Sequence, residues 1–184
     1  RNYLASGIYL DIDIKNSIYS IMSSYAKTHG LKTEAIDYYS NNREEVLSEV
    51  MKTNNIDRDE AKQKFTKLWF VYNKAFIINA FQPELRREIR KIQKHIFNTQ
   101  DLTDIKKLYK GDEPNIIGKY ISQFYFTLEW DILEKAMNYC KSKKYDVCAD
   151  LHDGFFIKID SSIPDFEESL KVDLNELNNH IIQK

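Results

Sequence analysis

Between residues 115 and 159 the apolar period switches from that of a helix to that of a strand, and this switch limits the fold more than any other feature of the chain. From Asn115 to Lys141, Ile121, Phe124, Tyr125, Leu128, Ile132, Leu133, Ala136 and Cys140 recur at helical spacing, which predicts one long amphipathic helix. Residues 145–151 (YDVCADL) and 155–159 (FFIKI) then read as two strands joined through His152-Asp153-Gly154. Gly154 is expected to supply the positive φ of a tight turn. A long helix leading into an antiparallel hairpin points to an α+β fold.

A further strand is expected at 8–14. Ile8, Leu10, Ile12 and Ile14 alternate with Tyr9, Asp11 and Asp13, so one face is apolar and the other carries two carboxylates. Asn16 or Ser17 can cap the next helix, which bears Ile18, Ile21, Met22 and Tyr25 and ends near His29-Gly30. With only 5 Gly and 3 Pro in 184 residues, breakers are scarce and long helices are favoured. The spacing predicts helices over 43–52, from Asp57 to about Ala80, after Pro83, around 101–110, and over 164–183. No repeat or linker divides the sequence. Residues 1–184 therefore read as one domain, with the helices of about 41–111 inserted between the first strand and the hairpin.

The formal charge of −1 shows no bulk attraction to nucleic acid, so such a partner would need a local basic surface. Arg86, Arg87, Arg90, Lys91, Lys94 and His95 lie beside an apolar stripe and read as a solvated helix face or as a track for a phosphate backbone. Cys140 and Cys148 make no metal or disulfide pattern, which fits a reducing, intracellular compartment. No apolar run approaches the ~20 residues that span a bilayer, so no membrane partner is expected. A first residue Arg1 rather than Met leads us to expect a piece of a longer polypeptide with further domains.

Three groups of residues could carry chemistry. Asp11 and Asp13 on one strand, and Asp153 at the hairpin tip, are acidic elements distant in sequence but each framed by a strand. Hard divalent cations take carboxylate oxygens and complete their shell with water and phosphate. An Asp-Gly pair is also a common hairpin turn, and alternation alone explains exposed carboxylates. Glu129 falls on the face of the long helix that holds Tyr125, Ile132 and Ala136; a carboxylate there needs a partner or a cation, or else reaches solvent at the edge of the face. Lys64, Leu68 and Tyr72 recur at i, i+4 and i+8, giving one helix face a cation and an aromatic ring that could hold a triphosphate and stack on a base. Arg58 and Lys62 are similarly spaced and could do the phosphate work instead. The same stripe is what the margin of any amphipathic helix shows.

In this order the pieces resemble the palm of family A DNA polymerases. Asp131-Ile132-Leu133-Glu134-Lys135-Ala136-Met137, a strand, and then Leu151-His152-Asp153 are similar to that family's helix and its His-Asp-Glu hairpin. The opening LDIDIKNSIYSIM resembles the first motif of the family, with Asp13 as the metal-binding aspartate and Asp11 as second choice. Lys64 and Tyr72 are spaced like the nucleotide-binding pair of the family's fingers helix. The sequence departs from the family at Gly154, where glutamate is usual, at Asn73, where glycine is usual, and at Ile18 and Ser20, which replace a glutamate and an arginine. A His-Asp-Gly hairpin resembles divergent palms of viruses and mobile elements.

The resemblance implies a palm-like antiparallel sheet with a packed long helix and an inserted helical fingers subdomain. It implies template-directed addition of nucleotides to a primer 3′ end, with nucleoside triphosphates and primer-template nucleic acid as partners. Asp13 and Asp153 would hold two Mg²⁺ ions, with Mn²⁺ as an alternative, and Glu129 would offer the carboxylate that Gly154 lacks. His152 would orient the primer end, Lys64 would neutralise the triphosphate, and Tyr72 would pack near the incoming base. Two rivals stand beside this expectation. One is a degenerate palm that binds nucleic acid or protein. The other is an HD-type phosphohydrolase, which would need further histidines near His152-Asp153, whereas His29, His95 and His180 are scattered.

Overall fold

The computed structural model describes residues 7–71, 82–99, 115–151 and 154–182. The elements are β1 (Tyr9–Asp13), α1 (Ser17–Thr28), α2 (Glu34–Asn41), α3 (Arg43–Asn54), α4 (Arg58–Phe70), α5 (Gln82–Thr99), α6 (Ile116–Ser142), β2 (Val147–Leu151), β3 (Gly154–Lys158) and α7 (Phe166–Ile182). The protein is α+β, mostly helical, with a small three-stranded antiparallel sheet. The chain divides into two compact units, one of Arg1–Ser17 with Leu128–Lys184 and one of Ile18–Thr127. The division falls inside α6. The range 41–111 falls inside the second of these units.

The first unit holds the sheet, in the order β1-β3-β2 with β3 central. Its core joins Leu133, Met137 and Cys140 of α6, Phe155 and Ile157 of β3, and Phe166 and Leu170 of α7. Leu10, Ile12 and Val147 close over this cluster from the outer strands. Ile8 lies before β1 and is exposed, contrary to the alternation read from the sequence. A shift in register between Val147 and Ala149 leaves Cys148 as an extra residue in β2. Tyr145 Oη and Lys143 Nζ both donate to Asp173 of α7, at 2.8 and 3.1 Å. Burial of Cys140 beneath this clasp pushes its thiol up to about 11, an inert thiol rather than a nucleophile.

The second unit is built around α5, whose Leu85, Ile89, Ile92 and Ile96 are all fully buried, as the i, i+4, i+7, i+11 spacing predicts. Tyr19 of α1 enters a nest of rings: its ring lies tilted against Tyr39 at 4.3 Å and edge-on to Trp69 at 5.8 Å, and its hydroxyl donates to Phe65 O at 2.9 Å. Asp57 caps α4 by accepting from Glu60 N at 2.8 Å.

Two features of this unit depart from the sequence reading. Helix α2 was not expected. Its first amides at Ala35 and Ile36 donate to Glu88 Oε2 at 2.9 and 3.2 Å, so the cap that starts it comes from α5, more than fifty residues along the chain. Replacing Glu88 with alanine leaves those buried donors without an acceptor and is expected to cost about 2 kcal/mol; a urea melt measures it. The second departure is at α4, which stops at Phe70 rather than near Ala80. Buried Gln93 donates from Nε2 to the carbonyls of Trp69 (2.6 Å) and Leu68 (3.3 Å), and Asn115 Nδ2 donates to Phe70 O at 2.6 Å. These side chains take up the carbonyls that the next helical turn would have used. A Cβ on Gly118 would stand 2.0 Å from Phe70 O, so that carbonyl is accommodated only by glycine.

Between α1 and α2, Asp37 accepts from Ser23 Oγ (2.6 Å), Lys27 Nζ (3.0 Å) and Thr33 Oγ1 (3.0 Å). Partial burial raises its carboxyl, but these three donors outweigh it and the net shift is downward. A carboxylate held below its unfolded value stabilises the fold above about pH 4 and loses that contribution as pH falls through the folded value. Acid titration is therefore expected to weaken the α1–α2 contact below about pH 4, and Asp37→Asn to flatten that part of the profile. Amide exchange along α2 reads both.

Candidate functional site

Strand pairing brings the acidic residues of β1 to the hairpin. In the β1–β3 ladder Asp13 stands opposite Gly154, Asp11 opposite Phe156 and Tyr9 opposite Lys158, while Ile12 and Leu10 stand opposite Phe155 and Ile157. Directly opposed residues share a face. Phe155 and Ile157 belong to the core under α6 and α7, so Asp11, Asp13, Phe156 and Lys158 occupy the other face of the sheet. Asp11 and Asp13 are both exposed there. The rings of Tyr9 and Phe156 lie 6.2 Å apart beside them. This ring pair and Lys158 were missed in the sequence. Alternation in FFIKI places Phe156 and Lys158 on one face, but only the register shows that it is the face of the aspartates.

Asp153 directly precedes Gly154 in the chain; with His152 it lies outside the described residues. Among the described residues no group of three or more histidine, cysteine or acidic side chains could hold a metal ion.

Gly154 itself differs from expectation. It is the first residue of β3 and is absent from the positive-φ glycines, which are Gly7 and Gly30. The reason for glycine is proximity: a Cβ there would sit 2.2 Å from Ile12 O and 3.3 Å from Asp13 Cα. The backbone of the aspartate strand occupies the space that a glutamate side chain would leave by. Glu129 is 4% exposed, on the inward side of α6 between Tyr125 and Leu133, so it is not a carboxylate reaching solvent at the helix edge.

The residues proposed for the triphosphate all start on α4. Lys64 is half-buried, whereas Leu68 is buried beside Trp69 and does not share an open face with it. Tyr72 lies outside the described residues, and α4 closes two residues before it. Of the i, i+4, i+8 stripe, Lys64 and Leu68 lie on α4, and Tyr72 falls beyond its last residue. Arg58 is engaged by Glu44, through Nη2 at 2.7 Å and Nε at 3.2 Å; this forked bond raises Arg58 and lowers Glu44. Lys62 stands 3.9 Å from Asp59. Asp59, Lys62, Gln63, Thr66 and Lys67 line an open recess of about 490 Å³ along the outer side of α4.

Over 177 residues the chain is 28% identical to a curated protein of Sputnik virophage, "Putative helicase V13". The similarity takes in 90% of this chain and 23% of that protein, so the chain spans under a quarter of the relative it matches. No family model matches the sequence. No solved structure matches it either. Among the described residues no helix is long and apolar enough to cross a membrane.

Proposed function

We propose that the chain is the palm, with part of the fingers, of a divergent polymerase resembling family A DNA polymerases, and that it adds nucleotides to a primer 3′ end as a template directs. The observation that carries this reading is the pairing of Asp13 with Gly154 in the β1–β3 ladder, next to the His152-Asp153 turn of the sequence. An exposed aspartate on a rigid strand, beside an acidic hairpin, is a donor set of hard oxygens suited to Mg²⁺. The virophage relative's name supports the same class of partner, since a helicase also acts on nucleic acid. It does not make this segment the motor. A P-loop motor needs G-x-x-x-x-G-K-[ST], and here Gly111 and Gly118 are seven apart with Tyr120 after Lys119.

In this reading Asp13 and Asp153 hold the cations, with Asp11 as a nearby substitute and Glu129 as a buried carboxylate on the adjoining helix. The chemistry that two bound Mg²⁺ ions supply is a lowered pKa for the primer 3′-hydroxyl and neutralisation of charge on the leaving pyrophosphate. His152 orients the primer end. Lys64 and Tyr72 hold the triphosphate and the base. Of the other two cations of α4, Lys62 lines the open recess and Arg58 is engaged by Glu44. The setting proposed is intracellular, either the cytoplasm or the replication compartment of a virus or mobile element.

Primer extension by the intact protein tests the proposal: synthesis abolished by Asp13→Ala and by Asp153→Ala supports it, and undiminished synthesis ends it. One observation favours a second reading, a degenerate palm that binds without catalysis, namely the backbone of Ile12 filling the place of the missing glutamate. Saturable Mn²⁺ binding that disappears in Asp13→Ala separates the two, because a palm without a metal site has none.

A further inference from the structure

Helix α5 distributes its charge unevenly. Its inward stripe of Leu85, Ile89, Ile92 and Ile96 fixes the helix rotation, which leaves Arg87, Lys91 and Lys94 exposed and Arg86 and Arg90 half-buried at the flank. At 100° per residue these five cations fill one continuous arc of the helix surface. Neither acid of the helix lies inside that arc: Glu84 sits in the first turn at its edge, and Glu88 is turned inward to cap α2. Burial lowers the Arg86 guanidinium, and the neighbouring Arg90, one turn away, lowers it further. A helix face that only needs to be soluble interleaves signs at i, i+4, where opposite charges attract and like charges repel. Here like charges are stacked, in a chain whose formal charge is −1.

We propose that the outward face of α5, carried by its exposed Arg87, Lys91 and Lys94, binds the phosphate backbone of a nucleic-acid strand without reading its bases. From Arg87 to Lys94 the face runs about 10 Å along the helix axis, enough to lie against a few successive phosphates of one strand. Long cationic side chains on a helix side give position and attraction rather than sequence preference. The inference shares with the proposed function only the class of partner. It needs neither Asp13 nor Asp153.

The test is equilibrium binding of a dye-labelled oligo(dT) to the intact protein, followed by fluorescence anisotropy across a salt series. Arg87→Gln, Lys91→Gln and Lys94→Gln combined change only exposed positions, and circular dichroism checks that the helix content is kept. The expected result is at least a tenfold loss of affinity at low salt, with the slope of log K against log salt shallower by about 2, at about 0.7 per lost phosphate contact on a single strand. Arg87→Lys, Lys91→Arg and Lys94→Arg combined should bind like the parent. Unchanged affinity and slope in the glutamine variant would overturn the proposal. So would an equal loss from Lys135→Gln with Lys141→Gln on α6, since any exposed lysine would then serve. Asp13→Ala is expected to bind oligo(dT) normally, so a failure of the polymerase reading and a failure of this one give different results.

Discussion

For the polymerase proposed above, replacing Asp13 by asparagine is expected to lower primer extension by the intact protein on the order of a thousandfold, about 4 kcal/mol of transition-state stabilisation. Asparagine keeps the shape of the side chain and one oxygen but removes the negative charge that draws a hard cation. Asp13 is exposed at the end of β1, where its backbone pairs with Gly154. The substitution should therefore leave the melting transition nearly unchanged, within about 0.5 kcal/mol for an exposed position. Loss of synthesis with an intact fold is the signature sought. Asp11→Asn shares the strand face but stands opposite Phe156 rather than beside the turn, and a loss of about tenfold or less is expected there. Equal activity in wild type and Asp13→Asn would leave the carboxylate without a role in catalysis.

Adding a single methyl group at Gly154 is expected to cost about 3 kcal/mol. The new Cβ would lie 2.2 Å from Ile12 O, and the atom in the way is backbone in a paired strand, which cannot swing aside as a long side chain can. The sign is the informative part. An unstrained glycine-to-alanine change stabilises a protein by about 0.4–1 kcal/mol through the unfolded chain, so a large loss reports the close approach of β1 and β3. The corresponding drop in melting temperature is on the order of 10 °C, with amides of β1 losing protection first. Gly154→Glu, which restores the residue usual in family A, should be at least as destabilising and should not raise activity. A stable Gly154→Glu variant would mean that the two strands are spaced more widely than the structure has them.

Much of the fold was legible because its signals are local. The α5 stripe, the rotation of α6, the strand alternation from Leu10 to Asp13 and the Asp57 cap each depend on residues within a few positions of one another, and each was formed as read, whereas Ile8 before the strand was not. The failures were non-local. Helix α2 is short and has no cap of its own; Glu88 supplies one from another helix. The end of α4 is set by Gln93 and Asn115, which no pattern within α4 announces.

For the candidate site, the sequence by itself determined which carboxylates lie on strands and which face of β1 they take, because a period of two is written in the residues. Only the tertiary structure decided the ladder register that seats Asp13 opposite Gly154, set Tyr9 and Phe156 on the same face, and turned Gly154 from a turn residue into a point of backbone contact. Register is fixed by which apolar side chains of β1 and β3 can be buried together beneath α6 and α7, a choice made between segments about 140 residues apart and therefore invisible in either one alone.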